Sequence, residues 1–224
     1  MLELLPKVAG RGARPRVLCL GAHADDLEIG CAGSLALLLR RFPTARVHWV
    51  VLSGQAQRAA EARRAAADVL RGAVRPQVSV EAFRDGRFPA DWSALKDFFE
   101  TLKVNAPPDL IFTHHGADAH QDHRLVNEMT WSTFRDHLIL EYEIPKYDGD
   151  LGRPGFYVPL SAALARRKVA RLMRHFHSQR QRRWFTPETF MGLMRMRGVE
   201  CNAPGGFAEA FYARKAILDL SAAR

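Results

Sequence analysis

Apolar and polar positions along this chain fall into two alternating rhythms. Short apolar runs at residues 16–22, 46–53, 77–83, 109–113 and 138–144 read as buried strands. Between them, residues 29–41, 55–71, 91–104 and 121–137 carry helical patterns. Pro43 follows the end of the first, Ala and Arg favour the second, and Asp91 is available to cap the third. Such β-α-β-α alternation predicts a parallel sheet flanked by helices, with ligands bound beyond the carboxyl ends of the strands. After Asp148-Gly149-Asp150 the pattern changes. Gly152, Pro154, Gly155 and Pro159 mark an irregular segment, residues 161–177 a very basic helix, and the tail from Phe190 a further helix and an edge strand. The expected organisation is one domain over residues 1–224, with an α/β core at 1–150 and a basic C-terminal part at 151–224.

Length and composition agree with that picture. At 224 residues, 47% apolar and 25% charged, the chain has the mixture of an ordinary globular domain, which excludes disorder and collagen. Its apolar runs are far shorter than a membrane span, and residues 1–16 carry Lys7, Arg11, Arg14 and Arg16 without the apolar stretch of a secretion signal. A soluble, cytoplasmic protein is expected. Cys19, Cys31 and Cys201 are scattered, with no zinc-ribbon or CxxC spacing, which fits a reducing compartment.

The net charge of +9 is unevenly placed. Residues 1–150 hold 19 Lys/Arg against 20 Asp/Glu, whereas residues 151–224 hold 14 against 4. Between residues 151 and 187 there is no acid at all. An anionic partner is therefore expected at the C-terminal part, not across the whole molecule.

Two clusters carry the chemistry. Gly21-Ala22-His23-Ala24-Asp25-Asp26-Leu27-Glu28 follows the first strand, and Asp118-Ala119-His120-Gln121-Asp122-His123 follows the fourth. Two imidazoles and a carboxylate form a common catalytic zinc set that leaves a position open, and further acids and imidazoles supply the proton transfers of hydrolysis. One such cluster alone could be a capped turn, since Asp favours N-cap positions. Two of them, each after a strand, point to a metal site.

Residues 22–35, with His23-Ala24-Asp25-Asp26 and Gly30-Cys31-Ala32-Gly33-Ser34-Leu35, resemble the (P/A)HPDDE…GCGG(T/S)L signature of the PIG-L/LmbE-like deacetylases. Ala119-His120-Gln121-Asp122-His123-Arg124 resembles their HPDHR signature. Ser53-Gly54 with Arg58-x-x-Glu61, Asp85-Gly86, Ser178-Gln179 and Ala208-Glu209-Ala210-Phe211 resemble weaker landmarks. Ala24 and Gln121 replace the usual prolines, and Leu27 stands where an acid is usual. The resemblance implies a Rossmann-like three-layer sandwich with a mostly parallel sheet. It also implies that His23, Asp26 and His123 bind Zn²⁺ or another divalent ion, that Asp25 is the general base, and that a protonated His120 steadies the oxyanion with Asp122 orienting it. The adjacency of Asp25 and Asp26 does not by itself say which of the two ligates.

Arg58 and Asp85 are candidates for substrate contact, as are His175 and His177, which flank the place where the family often has a histidine. Arg58 has a plainer reading as a solvent-exposed or Glu61-paired helix residue, and Asp85 as a turn residue before Gly86. The resemblance together with the charge implies removal of an N-acetyl group from an amino sugar within a larger, phosphate-bearing glycoconjugate or nucleotide sugar. Amidase action on a thiol conjugate, glycopeptide or nucleoside is the alternative. The run Arg166, Arg167, Lys168, Arg171, Arg174, Arg180, Arg182 and Arg183 suits a phosphate-bearing substrate or transient contact with an anionic membrane. A nucleic-acid partner is not expected, because no helix-turn-helix, zinc-finger or RNP pattern occurs.

Overall fold

Residue alternation within the strands builds two cores. Along the first strand, Val17 and Cys19 face one side of the sheet while Leu18 and Leu20 face the other. The computed structural model describes residues 14–105 and 107–217, so the reading of the opening residues as lacking a secretion signal lies largely outside the described residues. In it, β1 (Arg16–Gly21), β2 (Arg46–Val51), β3 (Gln77–Val80), β4 (Leu110–His114) and β5 (Leu138–Tyr142) run parallel. They are joined through α1 (Asp26–Gly30), α2 (Ala32–Arg41), α3 (Ala56–Val69), α4 (Trp92–Asn105) and α5 (Gln121–Thr133).

Beyond residue 150 the chain adds β6 (Phe156–Leu160), α6 (Ala162–His175), α7 (Pro187–Glu200) and β7 (Phe207–Tyr212). The sheet order is β3-β2-β1-β4-β5-β7-β6, with β7 antiparallel to both of its neighbours. Helices α1, α2, α3, α6 and α7 cover one face, around Trp49, Phe112, Tyr142 and Phe211; α4 and α5 cover the other, around Leu20, Val50, Phe99 and Ile111. Strand order reverses between β1 and β4, and the crevice above that point is where such sheets bind ligands. Among the described residues no helix is long and apolar enough to cross a membrane.

Several sequence expectations are corrected. The helix read at 29–41 is two helices broken at Cys31. A Cβ on Gly30 would lie 2.3 Å from the Tyr142 ring, so glycine is what admits that ring against the break. Asp91 does not cap α4: it ends a short 3₁₀ turn, and its carboxylate pairs with Arg84. The segment read as irregular contains β6. The final strand, β7, is interior, and β6 is the edge.

Candidate metal centre

The turn leaving β1 and the turn leading into α5 meet in the crevice. His23 Nδ1 lies 3.1 Å from His123 Nε2 and 3.5 Å from Asp26 Oδ2, and the latter two atoms are 3.7 Å apart. Two ligands held at about 2.05 Å by a tetrahedral zinc lie about 3.3 Å from one another. The three donor atoms bracket that spacing, all three residues are buried, and the donor types suit the ion. Overlapping donor groups surround them: His23, His120 and His123, and Asp26, His114 and His123, each present ligand atoms within 4.8 Å of one another. The residues present therefore fit a divalent cation.

Electrostatics assign the neighbours. Burial alone would raise the Asp26 carboxyl, but His123, His114 and His23 hold it well below its ordinary value. Burial drives His123 down to about 4, so at neutral pH its ring is neutral, with Nδ1 donating to Asp118 Oδ2 at 2.9 Å and the Nε2 lone pair facing the centre. For His23 burial acts downward, but hydrogen bonds to Asp122, Asp26 and Asp85 outweigh it and hold the ring well above its usual value. Asp25 is not one of the three donors but lies near enough to His23 and Asp26 to interact with their charges: its Oδ1 accepts from Arg58 Nη2 at 2.7 Å, and burial pushes its carboxyl upward against the pull of that guanidinium. Asp85, whose side chain is 59% exposed, reaches His23 Nε2 at 3.1 Å from the mouth.

Asp122 differs from its expected role. Its Oδ2 accepts from Gly86 N–H at 2.6 Å and lies 3.2 Å from His23 Nε2, while Oδ1 accepts from Phe88 N–H at 3.1 Å. It therefore fixes His23 and the loop carrying Asp85. His120 is oriented by backbone instead, its Nδ1 accepting from Asp122 N–H at 3.2 Å, which leaves the proton of the neutral ring on Nε2. Burial and the nearby His23 lower its pKa, so the neutral ring is the form this environment favours over the expected imidazolium.

His175 is not brought to the centre. Its Nε2 lies 2.9 Å from Asp68 Oδ2, beside Arg171. Asp68 is ten residues along α3 from Arg58, about 15 Å at 1.5 Å per residue. His177 is exposed in a 3₁₀ turn whose next residue, Ser178, donates from both N and Oγ to Glu61, one turn of α3 from Arg58. Two landmarks far apart in sequence thus hold each other. Glu209 does the same for another pair: it accepts from Gly33 N, Ser34 N and Ser34 Oγ at the start of α2, and pairs with buried Lys168.

Three further residues, given no site role by the sequence reading, stand near the centre. His114, fully buried, stacks on His123 at 3.9 Å and places Nε2 3.1 Å from Asp26 Oδ2. Asp118 holds His123, and Lys146 holds Asp118 at 3.0 Å. The sequence offers a signal for two of them, since Asp118 opens the second cluster and His114 ends the strand before it. None existed for Lys146.

Fold and site together define a Rossmann-like α/β protein with a His/Asp centre at the carboxyl ends of β1 and β4. The chain belongs to the PIG-L family: residues 18–134 match the model described as GlcNAc-PI de-N-acetylase. It is 34% identical over 146 residues to the uncharacterised deacetylase YaiS of Escherichia coli K12, covering 59% of this chain and 75% of that protein. Its fold is similar to that of GalB, the 4-carboxy-2-hydroxymuconate hydratase of Pseudomonas putida KT2440 (TM-score 0.74, 17% identity, 93% of this chain and 100% of that one). It is also similar to that of the N,N'-diacetylchitobiose deacetylase of Pyrococcus horikoshii (TM-score 0.67, 18% identity, 88% and 83%). At these identities the structural likeness is one of fold.

Proposed function

We propose that this chain is a zinc-dependent N-deacetylase acting on an N-acetylated amino sugar within a larger, phosphate-bearing molecule. The observation that carries the reading is the set of three buried donor atoms 3.1–3.7 Å apart, with a carboxylate not taken up by that set, Asp25, beside them. A zinc ion held by His23, Asp26 and His123 supplies Lewis acidity, polarising the amide carbonyl and acidifying the attacking water.

The rest is done by this chain's own groups. Asp25 takes a proton from the water as its oxygen bonds to the acetyl carbon. His120 donates from Nε2 to the oxygen of the amide as negative charge develops there. Breaking the C–N bond sends the electron pair to nitrogen, and Asp25 returns its proton to that amine, giving acetate and a free amino group. Arg58 keeps Asp25 aimed, Asp122 fixes His23, and Asp85 at the mouth meets substrate hydroxyls.

The phosphate-bearing end is assigned to the arginines of α6 and of residues 180–183. Arg166, Arg167, Arg182 and Arg183 are exposed, and guanidinium forks suit phosphate oxygens. Nucleic acid fits less well, since Phe176 and Phe185 in and beside this run are buried and Trp184 packs edge-on against Phe185 and Phe190 in place of offering a stacking face. Hydration of a carbon–carbon double bond is the second reading, raised because a hydratase, GalB, shares this fold.

The test is metal analysis of the purified chain with acetate release measured on N-acetylglucosamine, its nucleotide-diphosphate form and a lipid-linked form. Zinc near one per chain and acetate release fastest on a phosphate-bearing form are expected. Absence of metal and acetate release, with hydration of a muconate-type acid, would replace the reading by the second.

A further inference from the structure

The centre is connected to the rim of the crevice through one buried cation. Lys146 lies in the connection between β5 and β6, and its side chain is only 9% exposed. Its Nζ lies 3.0 Å from Asp118 Oδ1 and 2.5 Å from Asp150 Oδ2. Asp118 uses its other oxygen to accept from His123 Nδ1, and Oδ1 also accepts from His120 N–H at 2.8 Å. Asp150 accepts from Ala119 N–H at 2.7 Å, so the loop holding Lys146 is fastened on both sides to the turn that carries the second cluster. The next residue, Tyr147, is 66% exposed, and its hydroxyl accepts from the backbone N–H of Arg183.

A buried carboxylate keeps its charge only when paired. Asp118 is compensated by the His123 ring, the His120 N–H and the Lys146 ammonium, and of these only Lys146 brings a permanent charge to its oxygens. With Lys146 in place, Asp118 remains a strong acceptor. It then holds the proton of His123 on Nδ1 and aims Nε2 at His23 and Asp26. Burial acts to lower the Lys146 pKa, but Asp150 and Asp118 outweigh it and the ammonium is retained.

We infer that Lys146 is a positioning residue for the metal centre, acting through Asp118 on His123, and that it makes metal affinity depend on the rim loop that carries it. The inference rests on the reading of His123 as a ligand. It goes beyond that reading by placing a determinant of affinity on a different loop, two residues removed from the ligand through space.

The test compares wild type, Lys146→Met, Lys146→Gln and Lys146→Arg, each stripped with chelator and titrated with Zn²⁺ against a chromogenic competitor. Circular dichroism checks folding, and the visible spectrum of the Co²⁺-loaded protein reports ligand geometry. Removing a direct hydrogen-bond partner of a ligand costs about 10–100-fold in metal affinity; Lys146 acts through such a partner, so a loss at the lower end, about 10-fold, is expected for Met. Gln, which keeps a donor without charge, is expected to fall between, and Arg to recover most of the affinity. The Co²⁺ bands are expected to shift in Met and Gln and to return in Arg. Gln carries the comparison if Met does not fold. Wild-type affinity and spectrum in a folded Met or Gln variant would overturn the inference, as would an Arg variant as weak as Met. Failure of the wild-type chain to bind zinc would instead overturn the reading of the centre itself.

Discussion

Asp25 and Asp26 are consecutive in the chain, yet their carboxylates have separate surroundings: Asp25 Oδ1 meets Arg58 Nη2 at 2.7 Å, whereas Asp26 Oδ2 lies 3.1 Å from His114 Nε2 and within 3.7 Å of both facing imidazoles. The first turn of α1 produces the division, because Asp26 begins the helix and folds its carboxylate back onto the His23 N–H while Asp25 precedes it. Substitution at the two positions should therefore separate binding from turnover. Asp25→Asn is expected to retain zinc and lose acetate release by about 10²-fold or more, the scale of a general base. Asp26→Asn is expected to lose zinc. Metal content measured beside turnover checks both, and loss of zinc from Asp25→Asn would reverse the assignment.

The bond between Glu61 and Ser178 predicts a stability effect remote from the ligands. Glu61 is buried and accepts two hydrogen bonds from Ser178. Hydrogen bonds to a charged group contribute about 1.5–3 kcal/mol. Glu61→Ala is expected to lower unfolding free energy in urea by at least that amount. It is also expected to raise protease sensitivity near Ser178 selectively.

Lys168 and Glu209 form a buried ion pair in which Lys168 Nζ also donates to Ile29 O. Removing one member of such a pair costs about 3–5 kcal/mol, because the other stays buried and charged. Lys168→Met is expected to fall in that range. Adding Glu209→Gln should recover part of the loss, and a double-mutant cycle by chemical denaturation measures it. Strict additivity would show that the pair does not act as one.

Glu141 gives a pH dependence. Burial alone would raise its carboxyl, but His115, Gly116 N–H, Trp131 and Asn127 hold it down at about 2, and Arg214 adds an ion pair. The unfolded value is about 4.3. Because the folded value is the lower one, the contribution is fully present above the unfolded pKa and is lost as pH falls through the folded one. Glu141→Gln is expected to be less stable than wild type by a few kcal/mol at pH 7, with the gap narrowing as pH falls from about 4.5 to 2. Urea denaturation across that window checks it, and a gap independent of pH would rule out the carboxylate as its source.

What could be read from the sequence was local. The strands of the core show in Val17–Leu20 and Val47–Val51 because burial on both faces leaves apolar runs, broken in the second only by His48. The clusters around His23 and His123 show because each packs its chemistry into a few residues. Partners distant along the chain did not show. Ser178 finds Glu61 across 117 residues, Glu209 finds Ser34 across 175, and no periodicity announces either. His175 was misplaced for a related reason. It shares a helix face with Arg171 four residues earlier, and both turn to Asp68, an acid that only the packing of α6 on α3 brings near. The role of Asp122 was misjudged because the Gly86 and Phe88 amides that claim its carboxylate arrive from another loop.

The position of β7 has a consequence for biosynthesis. Among the described residues it is the last strand in sequence, yet it lies between β5 and β6, and its Glu209 closes the start of α2. A ribosome-bound chain that has not yet released Tyr212 therefore has β5 as a bare edge, β6 with nothing to pair, and Lys168 without its carboxylate. The parallel half can assemble early, but the side of the sheet that braces α1 and α2 beneath His23 and Asp26 forms only once β7 has left the ribosome. Nascent chains of this protein should depend on chaperone shielding of the β5 edge until the β6–β7 hairpin arrives.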